Sequence, residues 1–380
     1  MARQKRRSDG LLEKAFTYKG KRYHVYGSTK AELEKKVAEK KEQLEASVRT
    51  DNLSLNEYYQ KWAIDWQKTV KPSTVHRNNN QFNAGARVPM QDGRIFGEYK
   101  LFEVEPQHIK HIREFLLSHY YDFRTDSFTD KKHYSTSGIN CIIGCIGHVF
   151  ATAVNDRVLT WNPCRGIKEL RRTEEKARDT IHRALTREET AIFLTASKNT
   201  WYFNVYRLML STGMRCGEVG ALKLSDIKKD HIEVRRTVTQ DADGTYIMGE
   251  DAKTKSGMRN IPMTDTIREI IKDQKALNDA IFGEKIRDIN SPLFMNSKGG
   301  FILTKDVDSS IRKICKRLNM DKIGSHCFRD TFATRAIESG MNPKTLQTIM
   351  GHANIGITMN LYAHVMESTK VEEMQKVIAI

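Results

Sequence analysis

In "SHCFRDTFATRAIESG", residues 325–340, apolar side chains fall at Phe328, Phe332 and Ala336. That spacing of four predicts a helix with one face in a core. Ser325 stands where an N-cap belongs. His326 and Arg329 are three apart, so they share a different face within the first turns. Free N–H groups and the helix dipole favour an anion at that end. Two cations there are unfavourable for the helix alone, and become sensible if a phosphate sits between them. The plainer alternative is an exposed histidine and an arginine paired with Asp330 or a neighbour.

Working outward, "NPKTLQTIMGH", residues 342–352, reads as a capped helix. Asn342 is the cap, Pro343 the first helical residue and Gly351 the stop, with His352 at the corner. "GHANIGITMNLYAHV", residues 351–365, holds Tyr362, ten residues beyond His352. On its own Tyr362 reads equally as a core aromatic or a nucleophile. His364 is expected to be structural. Upstream, "STGMRCGEVGAL", residues 211–222, ends one helix at Gly213 and starts another after Arg215. Glu218 could brace Arg215 from three residues on, or form only a surface ion pair worth about a kcal/mol or less. In "KTKSGMRNIPM", residues 253–263, Lys255 stands at the mouth of an expected hairpin turning at Ser256-Gly257. Taken singly, a lysine there is commonly just solvated.

The segments around these boxes predict a mainly α, α+β domain over 185–380, opened by Thr186 as a cap with Glu189 three residues on. "HIEVRRTVTQ", "TYIMGE" and "RNIPM" read as short strands of a small antiparallel sheet. Residues 171–184 are charged and without an apolar face, as in a linker. Residues 54–170 read as an all-α domain, within which the irregular stretch 83–100 has no assignable role. Residues 1–50 read as a small sheet backed by one helix. "AFTYKGKRYHVYG" is the hairpin, and Ser28 or Thr29 caps the helix that follows.

Residues 1–50 carry 14 Lys/Arg against 7 Asp/Glu, a large part of the chain's net charge of +16. With a pI near 9.4, a polyanion is the expected partner, and nucleic acid the default. Arg3, Lys5, Arg6, Arg7, Lys19, Lys21, Arg22 and Tyr23 are the candidate DNA contacts of this segment. The basic start could equally be a nuclear address. No apolar run approaches the length of a bilayer span, so no membrane partner is expected. The six cysteines show no CxxC pair and no zinc-finger spacing, which predicts reduced thiols and no structural metal.

As an ordered set, "TGMRCGEV", "HCFRDTFATR" and "LQTIMGH" followed by "LYAH" resemble the signature boxes of tyrosine recombinases of the phage integrase type. The resemblance covers the last domain. It extends more weakly to "AVNDRVLTWNPCRGI", similar to the end of a core-binding domain, and to an N-terminal arm-type DNA-binding domain like those of conjugative-transposon and lambda-like integrases. It implies that Tyr362 attacks a DNA phosphodiester, giving a 3′-phosphotyrosyl link and a free 5′-hydroxyl. Arg215 and Arg329 would clamp the non-bridging oxygens. His326 would donate to the phosphate or help deprotonate Tyr362, and His352 would hydrogen-bond a phosphate oxygen. Lys255 would protonate the leaving oxygen. Glu218 would orient Arg215. The chemistry implied needs no metal, nucleotide or other cofactor.

The implied function is integration and excision of a mobile element. The alternatives are a resolvase, invertase or chromosome-dimer recombinase and, more remotely, a non-catalytic DNA-binding regulator. Expected partners are double-stranded DNA at core and arm-type sites, and three further copies in a tetramer held by the C-terminal tail "MESTKVEEMQKVIAI". An excisionase and a host DNA-bending protein would complete them. A bacterial cytoplasm, on the nucleoid, is the expected location.

Overall fold

The computed structural model describes residues 12–18, 21–46, 52–171, 183–249, 257–283 and 288–365. The chain divides into two units, Met1–Lys176 and Ala177–Ile380. Most of the expected linker therefore lies outside the described residues, as do Lys255, the C-terminal tail, and Arg3, Lys5, Arg6, Arg7 and Lys19.

The first unit opens with an antiparallel hairpin, β1 (Leu12–Tyr18) and β2 (Lys21–Gly27), in which Phe16 faces Tyr23. Their rings stack at 5.7 Å. Helix α1 (Lys30–Ala46) follows. Of the two candidate caps Thr29 is the one used: its hydroxyl accepts from the Glu32 amide, while Glu32 accepts in turn from the Ser28 amide. Leu33 and Val37 form its buried stripe.

Helices α2 (Leu55–Trp66), α3 (Pro72–Ala86), α4 (Pro106–Ser118) and α5 (Thr136–Asn155) build the remaining core of this unit. Tyr59 stacks on Phe82 with ring centroids 3.6 Å apart. Two expectations need correction. The segment is not all helical: β3 (Tyr120–Asp122) and β4 (Ser127–Thr129) pair between α4 and α5. The aromatics of this hairpin drive it, because Tyr121 is buried and packs edge-on to Phe128. The irregular stretch 83–100 has a packing role: Val88, Met90, Phe96 and Tyr99 are buried in the same core. Helix α5 is also long and apolar enough, by length and composition, to cross a bilayer, contrary to the reading of the sequence. Its Ile139, Ile142, Ile146, Val149 and Phe150 are instead buried in the core of this unit.

The second unit starts with α6 (Arg187–Ser197), whose capping box joins Thr186 and Glu189, then α7 (Phe203–Thr212) and the short α8 (Cys216–Gly220). Four strands follow: β5 (His231–Val234), β6 (Thr237–Gln240), β7 (Tyr246–Gly249) and β8 (Arg259–Pro262). Among the described residues, β5 pairs with β8 and β6 with β7. The expected hairpin between "TYIMGE" and "RNIPM" is therefore not the pairing that forms. Instead Ile261 lies opposite Ile232, and both are buried.

Helices α9 (Asp265–Phe282), α10 (Thr304–Leu318), α11 (His326–Glu338), α12 (Pro343–Met350) and α13 (Ile355–Val365) complete the unit. Helix α11 is central. Phe328 packs against Phe193 and Tyr206 in the main core, while Ala333, Ala336 and Ile337 enter a second cluster with Leu346 and Met350. The sequence pattern predicted one buried face. The helix is buried nearly all round, and Phe332, expected at the centre of the stripe, is only partly buried.

Candidate active site

Among the described residues, Arg215, His326 and His352 sit at helix ends. Gly213 closes α7 with a left-handed φ of 65°, and a Cβ there would lie 2.4 Å from Phe332 Cδ1. Only glycine fits that turn. Two residues on, Arg215 is the N-cap of α8 and Glu218 closes a capping box with it. Glu218 Oε2 accepts from the Arg215 amide at 2.9 Å, and Oε1 accepts from Arg215 Nη1 at 2.8 Å. This is no simple surface pair, because the Glu218 side chain is 7% exposed.

The reason is a residue that sequence reading missed. Arg259, the first residue of β8, donates from Nη2 to Glu218 Oε2 at 2.8 Å and from Nη1 to Oε1 at 3.2 Å. Its side chain is 2% exposed. Burial pushes the Glu218 carboxyl up, but hydrogen bonds and charge from Arg259, then Arg215, outweigh it and hold the group below the usual range.

Arg329 is buried, and among the described residues its Nη atoms bond to no carboxylate. Nη1 donates to the Gly213 carbonyl and Nη2 to the Met350 carbonyl, each at 2.6 Å. Both acceptors lie at helix C-termini, where carbonyls lack helical partners and the dipole favours a cation. The arginine is thus fixed without being neutralised. Burial, and then the nearby Arg215, pull its pKa down to about 9, so it stays charged at neutral pH.

Arg215, His326 and Arg329 line one cavity of about 410 Å³, together with Gly217, Asp308 and Ser325 among others. His326 is exposed, with Nε2 3.9 Å from Asp330. Ser325 occupies the N-cap position but makes no side-chain cap bond, a correction to the sequence reading; its amide instead donates to Asp308 at 2.7 Å. His326 and Arg329, on the first turn of α11, thus border an open space that also has Asp308 on its wall.

His352 follows Gly351, the left-handed residue (φ 65°) that ends α12. It is buried, with Nδ1 2.9 Å from the hydroxyl of Thr358, itself fully buried on α13. Burial, then the charges of Arg329, Arg215 and Arg259, pull its pKa down to about 4. At neutral pH the ring is uncharged. If the Thr358 hydroxyl donates to Nδ1, the proton is on Nε2, the tautomer that can donate to a phosphate.

Tyr362 does not line the cavity. It is partly buried against the cluster of Ala333, Ala336, Ile337, Leu346 and Met350, and its hydroxyl donates to the Met341 carbonyl. Burial raises its pKa. In this structure Tyr362 is therefore a packed aromatic with its proton engaged. Of the N-terminal candidates, Lys21 opens β2, Arg22 is exposed, and Tyr23 is the half-buried partner of Phe16.

Residues 182–369 match the model of the phage integrase family. Over 191 residues the chain is 33% identical to the transposase from transposon Tn916 of Enterococcus faecalis, a match covering 48% of this chain and 46% of that one. The chain spans about half the length of the curated relatives it matches first. The Tn1549 transposon integrase, solved in complex with a circular intermediate DNA, superposes with a TM-score of 0.66 at 22% identity, over 86% of this chain and 99% of that one. Lambda integrase, solved as a tetramer bound to a Holliday junction, superposes with a TM-score of 0.59 at 16% identity, over 92% and 95%. The fold is that of a tyrosine recombinase, a mostly helical domain with small antiparallel sheets and a small N-terminal sheet.

Proposed function

We propose that the protein is the integrase of a conjugative transposon or related mobile element, a reading supported by the match of residues 182–369 to the phage integrase family. One observation carries the reading. Two arginines fixed on different helices share an open cavity with a histidine, and the more buried one is held by neutral carbonyls, so its charge remains for an anion.

A scissile phosphate in that cavity would meet Arg215 and Arg329 through its non-bridging oxygens; neutral His352, which does not line the cavity, would have to be reached by the phosphate to give a third hydrogen bond. Attack by Tyr362 forms the Oη–P bond and breaks the bond from phosphorus to the 5′-oxygen. The phenolic proton passes to His326 or to solvent, and the leaving oxygen takes one from Lys255. The clamp offsets the charge gathered on the pentacovalent phosphorus. Rejoining reverses these steps with the 5′-hydroxyl of another strand. Tyr362 must first leave the Met341 carbonyl, because a phenol donating there cannot attack.

The remaining assignments belong to the same proposal. Residues 1–50 bind arm-type sites and 54–170 bind core sites, while 185–380 hold the chemistry. Four copies assemble on DNA through the C-terminal tail, with an excisionase and a host bending protein setting direction, on the nucleoid of a bacterial cell. The test of the chemistry is Tyr362→Phe on a nicked suicide substrate carrying the element's junction. Wild-type protein should trap a covalent adduct. The variant should bind with equal affinity and trap none, and an adduct with Tyr362→Phe would overturn the nucleophile assignment.

A further inference from the structure

We infer that Arg259 is a charge-balancing positioning residue, which lets Glu218 aim Arg215 at the phosphate without cancelling its charge. The inference rests on the recombinase reading and adds a residue to its machinery.

Glu218 alone would serve Arg215 badly. A buried carboxylate 2.8 Å from a guanidinium fixes its direction, but an isolated pair of that kind has no net charge left for a substrate anion. Arg259 changes the balance. It grips both carboxylate oxygens side-on, while Arg215 uses the same two oxygens through its amide and Nη1. The carboxylate thus accepts four N–H groups and is shared between two cations. The triad keeps a net positive charge, and the exposed member, Arg215, is the one that reaches the cavity.

Arg259 is itself fixed by main-chain acceptors. Nε donates to the Ile349 carbonyl at 2.5 Å and Nη1 to the Gly257 carbonyl at 3.2 Å. Ile349 precedes Met350, whose carbonyl holds Arg329. Adjacent carbonyls at the end of α12 therefore hold two arginines, one directing Arg215 through Glu218 and the other lining the cavity. This end of α12 sets the spacing of the two clamp arginines.

The test compares full-length Arg259→Met, Arg259→Lys and the double variant Glu218→Gln/Arg259→Met with wild type. Adduct formation is timed on two suicide DNAs, one with an ordinary scissile phosphate and one with a methylphosphonate, which lacks one negative charge. With Arg259→Met, Glu218 neutralises Arg215. The rate on phosphate should fall about a hundredfold, as for loss of one transition-state donor, and on methylphosphonate by less than about fivefold. Arg259→Lys should recover part of the loss. The double variant, with a neutral amide beside Arg215, should fold and regain most of the rate on phosphate. Equal losses on both DNAs would mean that Arg259 only supports the fold, and would overturn the inference. So would an unchanged rate in a folded Arg259→Met. Absence of any adduct with wild type on the element's junction would instead overturn the recombinase reading beneath it.

Discussion

His352 was readable only as a polar corner in its own stretch, and the ordered boxes turned it into a candidate phosphate ligand. Its partner Thr358 could not be read, because a threonine in an apolar helix has no pattern that marks a buried hydroxyl. Arg259 left a faint signal. Strand alternation puts it on the face of buried Ile261, while Asn260 and Pro262 are exposed, and a cation on a core face calls for a partner. That partner, Glu218, is 41 residues away in sequence, beyond any local rule. The low pKa of His352 has a consequence for stability. The unfolded chain takes up this proton near the ordinary value of 6.5, and the folded site only near 4. The stability contributed is therefore complete above about 6.5 and is lost as pH falls through this window toward 4. Denaturant melts at pH 7 and pH 4.5 should show a smaller drop for His352→Asn than for wild type, and equal drops would refute the assignment. Thr358→Val should cost about 1–3 kcal/mol by leaving buried Nδ1 unpaired, whereas Thr358→Ser should be tolerated.

Helix ends were the most legible elements. The caps at Thr186 and Asn342 and the stops at Gly213 and Gly351 all form where the sequence put them. Cap chemistry is local, so a short window contains it. Strand pairing is not local: β8 reaches back to β5 past two intervening strands, and no turn signal announces that. Nor did periodicity show that α11 is buried nearly all round, since small and polar residues share its faces. The stop at Gly213 belongs to the site as much as to the helix, because its carbonyl holds Arg329. Gly213→Ala combines positive-φ strain with a 2.4 Å approach to the Phe332 ring. It should destabilise the protein by about 1–3 kcal/mol and lower adduct formation further than thermal melting alone explains. A variant with wild-type cleavage would show that the carbonyl can move without cost.

At the scale of the molecule, charge was the clearest signal. Residues 1–50 supply +7 of the chain's +16 and contain no boxed residue, so this segment and the chemistry should be separable. A chain lacking residues 1–50 should still trap adducts on core DNA but lose a second set of protected repeats in footprints. Its core binding should also depend less steeply on salt. Unaltered footprints would end the assignment of two DNA-binding parts. Within the second unit, the grip on Arg329 has an evolutionary side. Its Nη acceptors are main-chain oxygens, an atom that every amino acid supplies, so substitution at position 350 cannot delete its half of the grip. Drift in side chains is harmless there so long as two helices keep ending at the same place. The wall of this cavity is in that sense inherited through the path of the chain, with glycine at 213 as the letter that cannot be respelled.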